Sequence, residues 1–449
     1  MYDIKMYHKN SIFLCNEKAL NDIAVVFITT EGIQHLAGGV GHYIRNFIIT
    51  LGNYRHKLTE KGINLTIYAG EPAISRVLPS YSTQNLKDML SIIESTGGEF
   101  FKLINNTQGE NWIGNIENWK IMSASAAGIV LNIARKHQAT LLFTGSTCFA
   151  MLPVYIHKQI RVFKDADIRS VFLTHDSAFS TFYSMINEDI LTMDYLTCQW
   201  CDFTPNAKIG YVSSYMKELF KEKYHVKENA FVSASSGVLV SNPRYNNITE
   251  QECRELLMEY NIPIDKKLIV SWGRAEGYKR FDVVFSASKL LDNDFFTVVV
   301  TNTQFPEMRR YVEKINCNGC LIESYKGFDL IKALISCENT MAVVFMSDNE
   351  PGSMAPLEAM LLLKEKNALV IANNSGMYRE IIEDEKNGFL ITNEANILAK
   401  KISMVNCLSA QRKKEISIAA YETVISKYTQ EKNYIDTLMG AVSQLKHQI

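Results

Sequence analysis

The sequence predicts an α/β protein with two doubly wound parallel-sheet domains and a cleft between them. Short runs of β-branched and other apolar residues alternate with helical segments, which is typical of parallel sheets covered by helices on both faces. The alternation is interrupted by "SSGVLVSNPRYNN" (235–247), which is rich in Ser, Asn, Gly and Pro, and then starts again. A length of 449 residues also favours two domains over one.

The N-terminal domain is assigned to residues 1–240. Continuous apolar runs predict buried strands at 23–29, 65–69, 140–145, 170–175 and 231–235. Segments with helical spacing lie between these runs, for example at 42–58 and 123–137. The segment at 235–247 is interpreted as the linker to the next domain.

The C-terminal domain is assigned to residues 241–428. Its predicted strands lie at 267–273, 296–301, 341–345 and 368–372, with helices between them. The remaining residues, 429–449, predict one terminal helix. Parallel sheets of this kind bind ligands beyond the carboxyl ends of their strands, so the loops that follow the predicted strands are the candidate functional segments.

Composition excludes several classes of function. The chain carries 47 Lys and Arg against 48 Asp and Glu, so a nucleic-acid partner is not expected. The polar start "MYDIKMYHKN" lacks a signal-peptide core, and no apolar run approaches the roughly 20 residues of a membrane-spanning helix. We therefore expect a cytoplasmic protein, with peripheral membrane contact left open.

The cysteines are interpreted as reduced and incidental. Nine cysteines in a chain of this size do not indicate a disulfide framework. The two CxxC pairs, Cys198/Cys201 and Cys317/Cys320, are far apart, and "CNGC" is typical of a turn. A zinc site shared by the two pairs is the less favoured alternative, and no metal site is assigned.

Two glutamates bracket a predicted helix start in "MAVVFMSDNEPGSMAPLEAMLLL" (341–363). Free N–H groups and the positive dipole end at Gly352, Ser353 and Met354 favour a phosphate there. Glu358 can accept hydrogen bonds from a vicinal diol such as ribose, and Glu350 can bind hydroxyls of a second sugar. The alternative interpretation is a capped helix with two solvated glutamates.

A second loop, "SWGRAEGYKRFD", follows the strand predicted at 267–273. Arg274 and Lys279 are placed near the carboxyl end of that strand, where they can bind the oxygens of a diphosphate. The alternative is a solvated basic loop. Arg280 is interpreted as a surface or packing residue.

Two segments of the first half also follow predicted strands. Gly38 and Gly39 in "HLAGGVGHY" allow the backbone to approach a ligand closely, although a plain tight turn is the alternative. Ile44 stands where the third glycine of GxGxxG would be, which argues against an NAD site. His175 and Asp176 in "FLTHDS" are placed at the cleft. No GxSxG, HExxH or GxxxxGK[ST] motif is present.

Together these segments resemble the retaining GT-B glycosyltransferases of family 4, the group related to glycogen and sucrose-phosphate synthases. The resemblance covers most of the chain and is strongest from Leu268 to Phe389: "GRAEGYKRFD", "SYKGFDL", "NEPGSMAPLEAM", "NNSGMYREII" and "EKNGFL". The chain departs from the family at Gly352 and Ser353, where an aromatic residue and a glycine are usual. It also has His42 where glycogen synthases place an aspartate.

The resemblance implies a role for each candidate residue. Glu350 and His175 contact the donor hexose, Glu358 contacts the ribose, and Arg274 and Lys279 neutralise the leaving diphosphate. The Gly39 backbone N–H approaches the donor phosphates, and Gly327 lies beside the base. Gly38, Gly352, Ser353 and Met354 complete the donor-binding set. The resemblance also implies two Rossmann-like domains that close over the donor, with the acceptor on the N-terminal side and the helix at 429–449 packed back on that domain.

The expected activity is transfer of a hexosyl group from a nucleotide diphosphate sugar, most commonly a UDP-sugar among the relatives, to a hydroxyl of a glycan or small molecule. No cofactor and no metal ion are expected. Two alternatives are a pyridoxal-phosphate-dependent glycan phosphorylase, which would be yellow, and a non-catalytic partner subunit, which would not hydrolyse nucleotide sugars. Trp112 and Trp119 are candidates for stacking on an acceptor sugar, or for packing in the core.

Overall fold

The computed structural model describes residues 22–35, 38–74, 81–106, 115–160, 167–175, 177–180, 188–323 and 327–446. Two parallel sheets dominate this part of the chain. The first has seven strands in the order β3-β2-β1-β4-β5-β6-β7, and the second has six in the order β10-β9-β8-β11-β12-β13. The predicted architecture of two Rossmann-like domains is therefore confirmed.

The first sheet is formed by β1 (Asp22–Ile28), β2 (Asn64–Pro72), β3 (Phe100–Leu103), β4 (Ala139–Thr144), β5 (Ile168–Leu173), β6 (Ala207–Tyr211) and β7 (Phe231–Ser233). Its helices are α1 (Gly39–Thr59), α2 (Thr83–Ser95), α3 (Ile116–Ala134), α4 (Leu152–Ile160), α5 (Glu188–Phe203) and α6 (Ser214–Tyr224).

The second sheet is formed by β8 (Lys267–Gly273), β9 (Phe295–Thr301), β10 (Gly319–Glu323), β11 (Thr340–Phe345), β12 (Leu369–Asn373) and β13 (Phe389–Ile391). Its helices are α7 (Glu250–Glu259), α8 (Phe281–Leu290), α9 (Pro306–Ile315), α10 (Asp329–Ser336), α11 (Met354–Leu362), α12 (Tyr378–Ile381), α13 (Ala395–Cys407) and α14 (Ala410–Lys427). The terminal helix is α15 (Gln430–Lys446).

Each central strand is buried on both faces, as expected for a sheet that lies between two helical layers. In β1, Val25 and Phe27 pack in one core cluster, whereas Ala24 and Val26 pack in another on the opposite face. Trp119 of α3 belongs to the second cluster and is almost fully buried, so it is a core residue and not a platform for an acceptor sugar. Trp112 lies outside the described residues.

Four strands have no counterpart in the sequence-based prediction: β3, β6, β10 and β13. Three of them lie at sheet edges, where only one neighbour pairs with the strand and short or partly polar sequences suffice. The fourth, β6, reads "AKIGY" and contains Lys208 and Gly210. The predicted turn at "CNGC" is only partly correct, because Gly319 and Cys320 already belong to β10.

The chain passes between the domains twice, and the two crossings lie side by side. The N–H of Val238 donates to the Tyr428 carbonyl at 2.7 Å, and the N–H of Gln430 donates to the Val238 carbonyl at 3.1 Å. A Cβ at Gly237 would lie 2.7 Å from the Thr429 carbonyl oxygen, so a side chain there would separate the crossings. Beyond this point α15 packs on the first domain. The ring of Tyr434 stacks on that of Phe47, with ring centroids 5.0 Å apart.

Candidate active site in the cleft

A cavity of ≈ 1050 Å³, measured with its open mouth, lies between the carboxyl ends of the two sheets. Both domains line it, and ten of the eleven candidate residues are on its wall: Gly38, Gly39, His175, Arg274, Lys279, Glu350, Gly352, Ser353, Met354 and Glu358.

Gly327 is the candidate that does not line the cavity. It has a φ of +78°, which favours glycine, and its neighbour Phe328 is the residue that faces the cavity. The segment before Gly327 lies outside the described residues, as do Asp176, Leu36 and Ala37.

Glu350 and Lys279 form a buried ion pair. Lys279 Nζ lies 2.6 Å from Glu350 Oε2, and the two side chains are 11% and 4% exposed. Burial alone would lower the pKa of Lys279, but the Glu350 carboxylate reverses this and the pKa is raised, so the amine stays charged. The alternative interpretations of solvated glutamates and a solvated basic loop are therefore wrong for this pair.

The loop that carries Lys279 is fixed to the end of β11. The N–H of Asp348 donates to the Tyr278 carbonyl at 2.8 Å. Arg280 has a φ of +52° and binds Asp348 at 3.1 Å and Asp282 at 3.1 Å. Arg280 is thus a packing residue that holds the Lys279 loop beside Glu350.

Arg274 lies at the boundary between the domains. Its guanidinium contacts the Tyr278 hydroxyl at 2.9 Å and Glu276 at 3.2 Å, and 41% of the side chain is exposed. A Cβ at Gly38 would lie 3.5 Å from Arg274 Cδ, so the glycine turn of the first domain closely approaches this arginine. The Gly38 N–H donates to Glu31 Oε2 at 2.8 Å, so this donor is already engaged by a carboxylate.

The start of α11 contacts the first domain directly. A Cβ at Gly352 would lie only 2.9 Å from Val212 Cγ2, and a Cβ at Gly39 would lie 4.0 Å from the Gly352 carbonyl oxygen. Ser213 Oγ donates to the Pro351 carbonyl at 2.5 Å. The packing of the two domains therefore requires a glycine at position 352, because a side chain there would collide with the opposite domain.

One amide at this helix start is not available to a ligand. The Ser353 N–H donates to Met377 Sδ at 2.7 Å, although Ser353 occupies the N-cap position as predicted. Close to the same contact, the Ser214 N–H at the start of α6 donates to Glu380 Oε2 at 2.6 Å. This edge of the cleft is therefore closed by hydrogen bonds between the domains.

We predict that Gly352→Ala opens the cleft. The new methyl group would overlap Val212, and the domains are expected to separate because the Val212 side chain is buried and cannot move aside. Small-angle scattering should give a larger radius of gyration than the wild type shows. The double variant Gly352→Ala/Val212→Ala removes the overlap and should recover the wild-type value. An unchanged radius in the single variant would contradict the steric role of Gly352.

Glu358 is also buried. Its hydrogen-bond and ion-pair partners lie in the segment 235–247, which the sequence analysis interpreted as the linker. Tyr245 donates its hydroxyl to Glu358 Oε1 at 2.9 Å, and an Arg244 amino group lies 3.2 Å from the same oxygen. Both residues precede α7, and Arg244 lines the cavity. The sequence contained no signal for this role, because "NPRY" is typical of a turn.

His175 is buried against the Tyr43 ring, with ring centroids 4.5 Å apart. Burial lowers the pKa of His175 to about 3, so the imidazole is neutral near pH 7. Its Nε2 has no hydrogen-bond partner among the described residues. A buried polar atom of this kind on a cavity wall can bind a ligand hydroxyl.

The described residues include no group of three or more His, Cys, Asp and Glu side chains placed to bind a metal ion. Within the same residues, no helix combines the length and the apolar character that crossing a bilayer requires.

Comparison with known proteins agrees with this geometry. Residues 254–421 match the family model described as glycosyl transferases group 1. No curated protein sequence matches the chain significantly.

Solved structures match over nearly the whole chain. A glycosyltransferase from Rickettsia africae has 18% identity and a TM-score of 0.65, covering 95% of this chain and 100% of that one. HepE from Anabaena, in complex with UDP-glucose, has 14% identity and a TM-score of 0.67, with coverage of 94% and 99%. Sucrose-phosphate synthase from Thermosynechococcus elongatus has 14% identity and a TM-score of 0.68, with coverage of 94% and 98%.

The likeness to these structures establishes the fold, and the family match covers the domain that carries both Arg274 and Glu350. The chain has the two-domain GT-B fold. Residues 254–421 match the glycosyl transferases group 1 family model, and this match indicates a glycosyltransferase.

Proposed function

We propose that this protein transfers a hexosyl group from a nucleotide diphosphate sugar, with UDP as the nucleotide, to a hydroxyl of a glycan or small molecule, with retention of anomeric configuration. The observation that carries the proposal is the set of cations and buried carboxylates on one cavity wall. Arg274 lies beside the glycine turn, Lys279 is paired with the buried carboxylate of Glu350, and Glu358 supplies a second buried carboxylate. Cations suit a diphosphate, and carboxylates suit sugar hydroxyls.

The proposed reaction breaks the bond between the anomeric carbon and the diphosphate oxygen. Negative charge develops on the departing diphosphate, where Arg274 and Lys279 stabilise it, and positive charge develops on the anomeric carbon. The acceptor oxygen forms its new bond on the same face, and its proton passes to an oxygen of the leaving diphosphate. No protein nucleophile is needed, and the two side-chain cations take the place that a metal ion has in other enzymes.

The other two polar groups act on the sugars of the donor in this proposal. The buried carboxylate of Glu350 positions the hexose ring and favours its cationic transition state. The neutral imidazole of His175 binds a hexose hydroxyl through Nε2, which has no partner among the described residues. Glu358 binds the ribose.

The HepE structure contains UDP-glucose, so UDP-sugars are the first donors to test. We predict that UDP and UDP-glucose raise the melting temperature, whereas GDP, ADP and their sugars do so less. A ligand at 100 times its dissociation constant stabilises the folded state by about 2.7 kcal/mol. Stabilisation by another nucleotide alone would overturn the choice of base but not the proposal of a nucleotide sugar.

The type of reaction is tested on the product. Incubation with a binding donor and a panel of hydroxyl acceptors should release the nucleoside diphosphate and form a glycoside, whose anomeric proton coupling in an NMR spectrum gives its configuration. An inverted product would refute the retaining mechanism. Absorbance of bound pyridoxal phosphate would favour the phosphorylase, and binding without hydrolysis or transfer would favour the non-catalytic subunit.

A further inference from the structure

Arg244 connects three separate parts of the molecule. It lies in a short 3-10 turn, Pro243–Tyr245, between the domains. One amino group lies 3.3 Å from His42 Nδ1 in α1 of the first domain, and the other lies 3.2 Å from Glu358 Oε1 in α11 of the second. The guanidinium stacks over the Phe328 ring at 4.0 Å, and 23% of the side chain is exposed. A planar, bidentate donor fits such a position better than an ammonium group.

On the Glu358 side, these contacts fix the carboxylate. Oε1 accepts from Tyr245 and faces Arg244, whereas Oε2 has no hydrogen-bond partner among the described residues. Burial of a carboxylate is costly unless it is paired, and Arg244 and Tyr245 provide that pairing and hold the orientation of Glu358. One oxygen is thus anchored by the protein, and the other remains for a hydroxyl of the ligand.

On the His42 side, the contact reaches into the first domain. Burial, and then the charges of Arg244 and Arg45, lower the pKa of His42 to about 3. The imidazole is therefore neutral near pH 7, and its Nδ1 can accept the Arg244 hydrogen bond. His42 is in the first turn of α1, three residues after Gly39, so this bond can form only when the first domain lies against the linker.

We propose that Arg244 is a positioning residue that couples binding at Glu358 to closure of the two domains. The proposal rests on the function proposed above, since Glu358 is taken to bind the ribose of a nucleoside diphosphate. When the domains close, His42 holds Arg244, and Arg244 holds Glu358 in its binding orientation. By thermodynamic linkage, a ligand that fixes Glu358 must then favour the closed arrangement by the same factor.

The test is a double-mutant cycle on UDP affinity, measured by calorimetry. Arg244→Met keeps an apolar side chain on Phe328 but removes both polar contacts, and His42→Phe keeps a ring but removes the acceptor. We expect Arg244→Met to weaken UDP binding at least tenfold and His42→Phe to weaken it severalfold. In the Arg244→Met background, His42→Phe should have no further effect, because its partner is already absent. Arg254→Met removes an exposed guanidinium from α7 and serves as the matched control.

A second measurement separates coupling from a merely structural role. Small-angle scattering with saturating UDP should give the same compact radius of gyration in the wild type and the control, and a larger radius in both His42→Phe and Arg244→Met. Arg244→Lys retains the charge beside Glu358 and should recover UDP affinity more fully than it recovers the compact radius. Circular dichroism checks that each variant is folded. If Arg244→Met does not fold, the milder variant His42→Phe is used for the test.

Several outcomes would overturn the inference. Additive losses in the cycle would show that His42 and Arg244 act independently, and normal UDP affinity in Arg244→Met would show that Glu358 needs no such support. If the wild type binds UDP and the His42 and Arg244 variants bind it and compact as the wild type does, the coupling is wrong while the proposed function stands. If the wild type binds no nucleoside diphosphate, both are wrong.

Discussion

Lys279→Met is expected to lower kcat by roughly a hundredfold, because it removes a cation that faces the developing charge on the diphosphate and contributes on the order of 3 kcal/mol to the barrier. It is also expected to destabilise the fold. A lysine in a solvated loop could be replaced with little loss of stability, but the Lys279 side chain is buried in an ion pair with Glu350. Removing one partner of a buried pair leaves an uncompensated charge and costs about 3–5 kcal/mol.

A double variant separates the two effects. Lys279→Met/Glu350→Gln contains no unpaired buried charge, so its free energy of unfolding should recover most of the loss seen in Lys279→Met. Its kcat should stay low, because neither the cation nor the carboxylate is restored. Steady-state rates and urea unfolding measured on the same preparations provide both quantities.

Arg274→Ala is the companion variant, since Arg274 is 41% exposed and its ion-pair partner Glu276 is 40% exposed. It should lose turnover with little change in stability. Near-normal rates in both Lys279→Met and Arg274→Ala would refute the assignment of these cations to the diphosphate.

The sequence was most informative where the chain is buried on both faces. Strands such as β1, β8 and β11 are continuous apolar runs, because helices cover both sides of the sheet. The pattern fails at β3, β10 and β13, since an edge strand needs fewer apolar residues and can be very short. The register and order of the strands depend on contacts between distant residues, which a local pattern does not contain.

The candidate site shows the same division. Glu350, Glu358, Arg274 and Lys279 could be located from the sequence, because each follows a predicted strand that ends at the cleft. Their burial and the pairing of Lys279 with Glu350 could not be predicted, since the partners are 71 residues apart. The role of Arg244 could not be predicted from the local sequence either, because its partner His42 is 202 residues away.

Glu350→Gln and Glu358→Gln are expected to fail in different ways. Glu358 is predicted to hold the ribose, a part of the donor that does not react, so its loss should weaken binding of the donor and of free UDP alike. A hydrogen bond to a charged group contributes about 1.5–3 kcal/mol, which corresponds to roughly tenfold or more in affinity. The same substitution weakens the hold on Tyr245 and Arg244, which adds to the loss.

Glu350 is predicted to act on the hexose, whose ring flattens and gains positive charge during transfer. Glu350→Gln should therefore mainly lower kcat, because the carboxylate is needed most in the transition state. Free UDP lacks the hexose and should bind this variant almost normally. The glutamine keeps an oxygen that can accept from Lys279, but it leaves that buried ammonium without a carboxylate, so the free energy of unfolding is also expected to fall.

Calorimetric titration of UDP into both variants, together with steady-state rates with the full donor, decides between these roles. Glu365→Gln, which changes an exposed glutamate just after α11, is the matched control and should behave as the wild type. If Glu350→Gln loses UDP as severely as Glu358→Gln does, the two carboxylates do not divide the donor as predicted, and Glu350 must instead act on the diphosphate through Lys279. If Glu350→Gln keeps a normal kcat, its buried carboxylate serves only to balance the charge of Lys279.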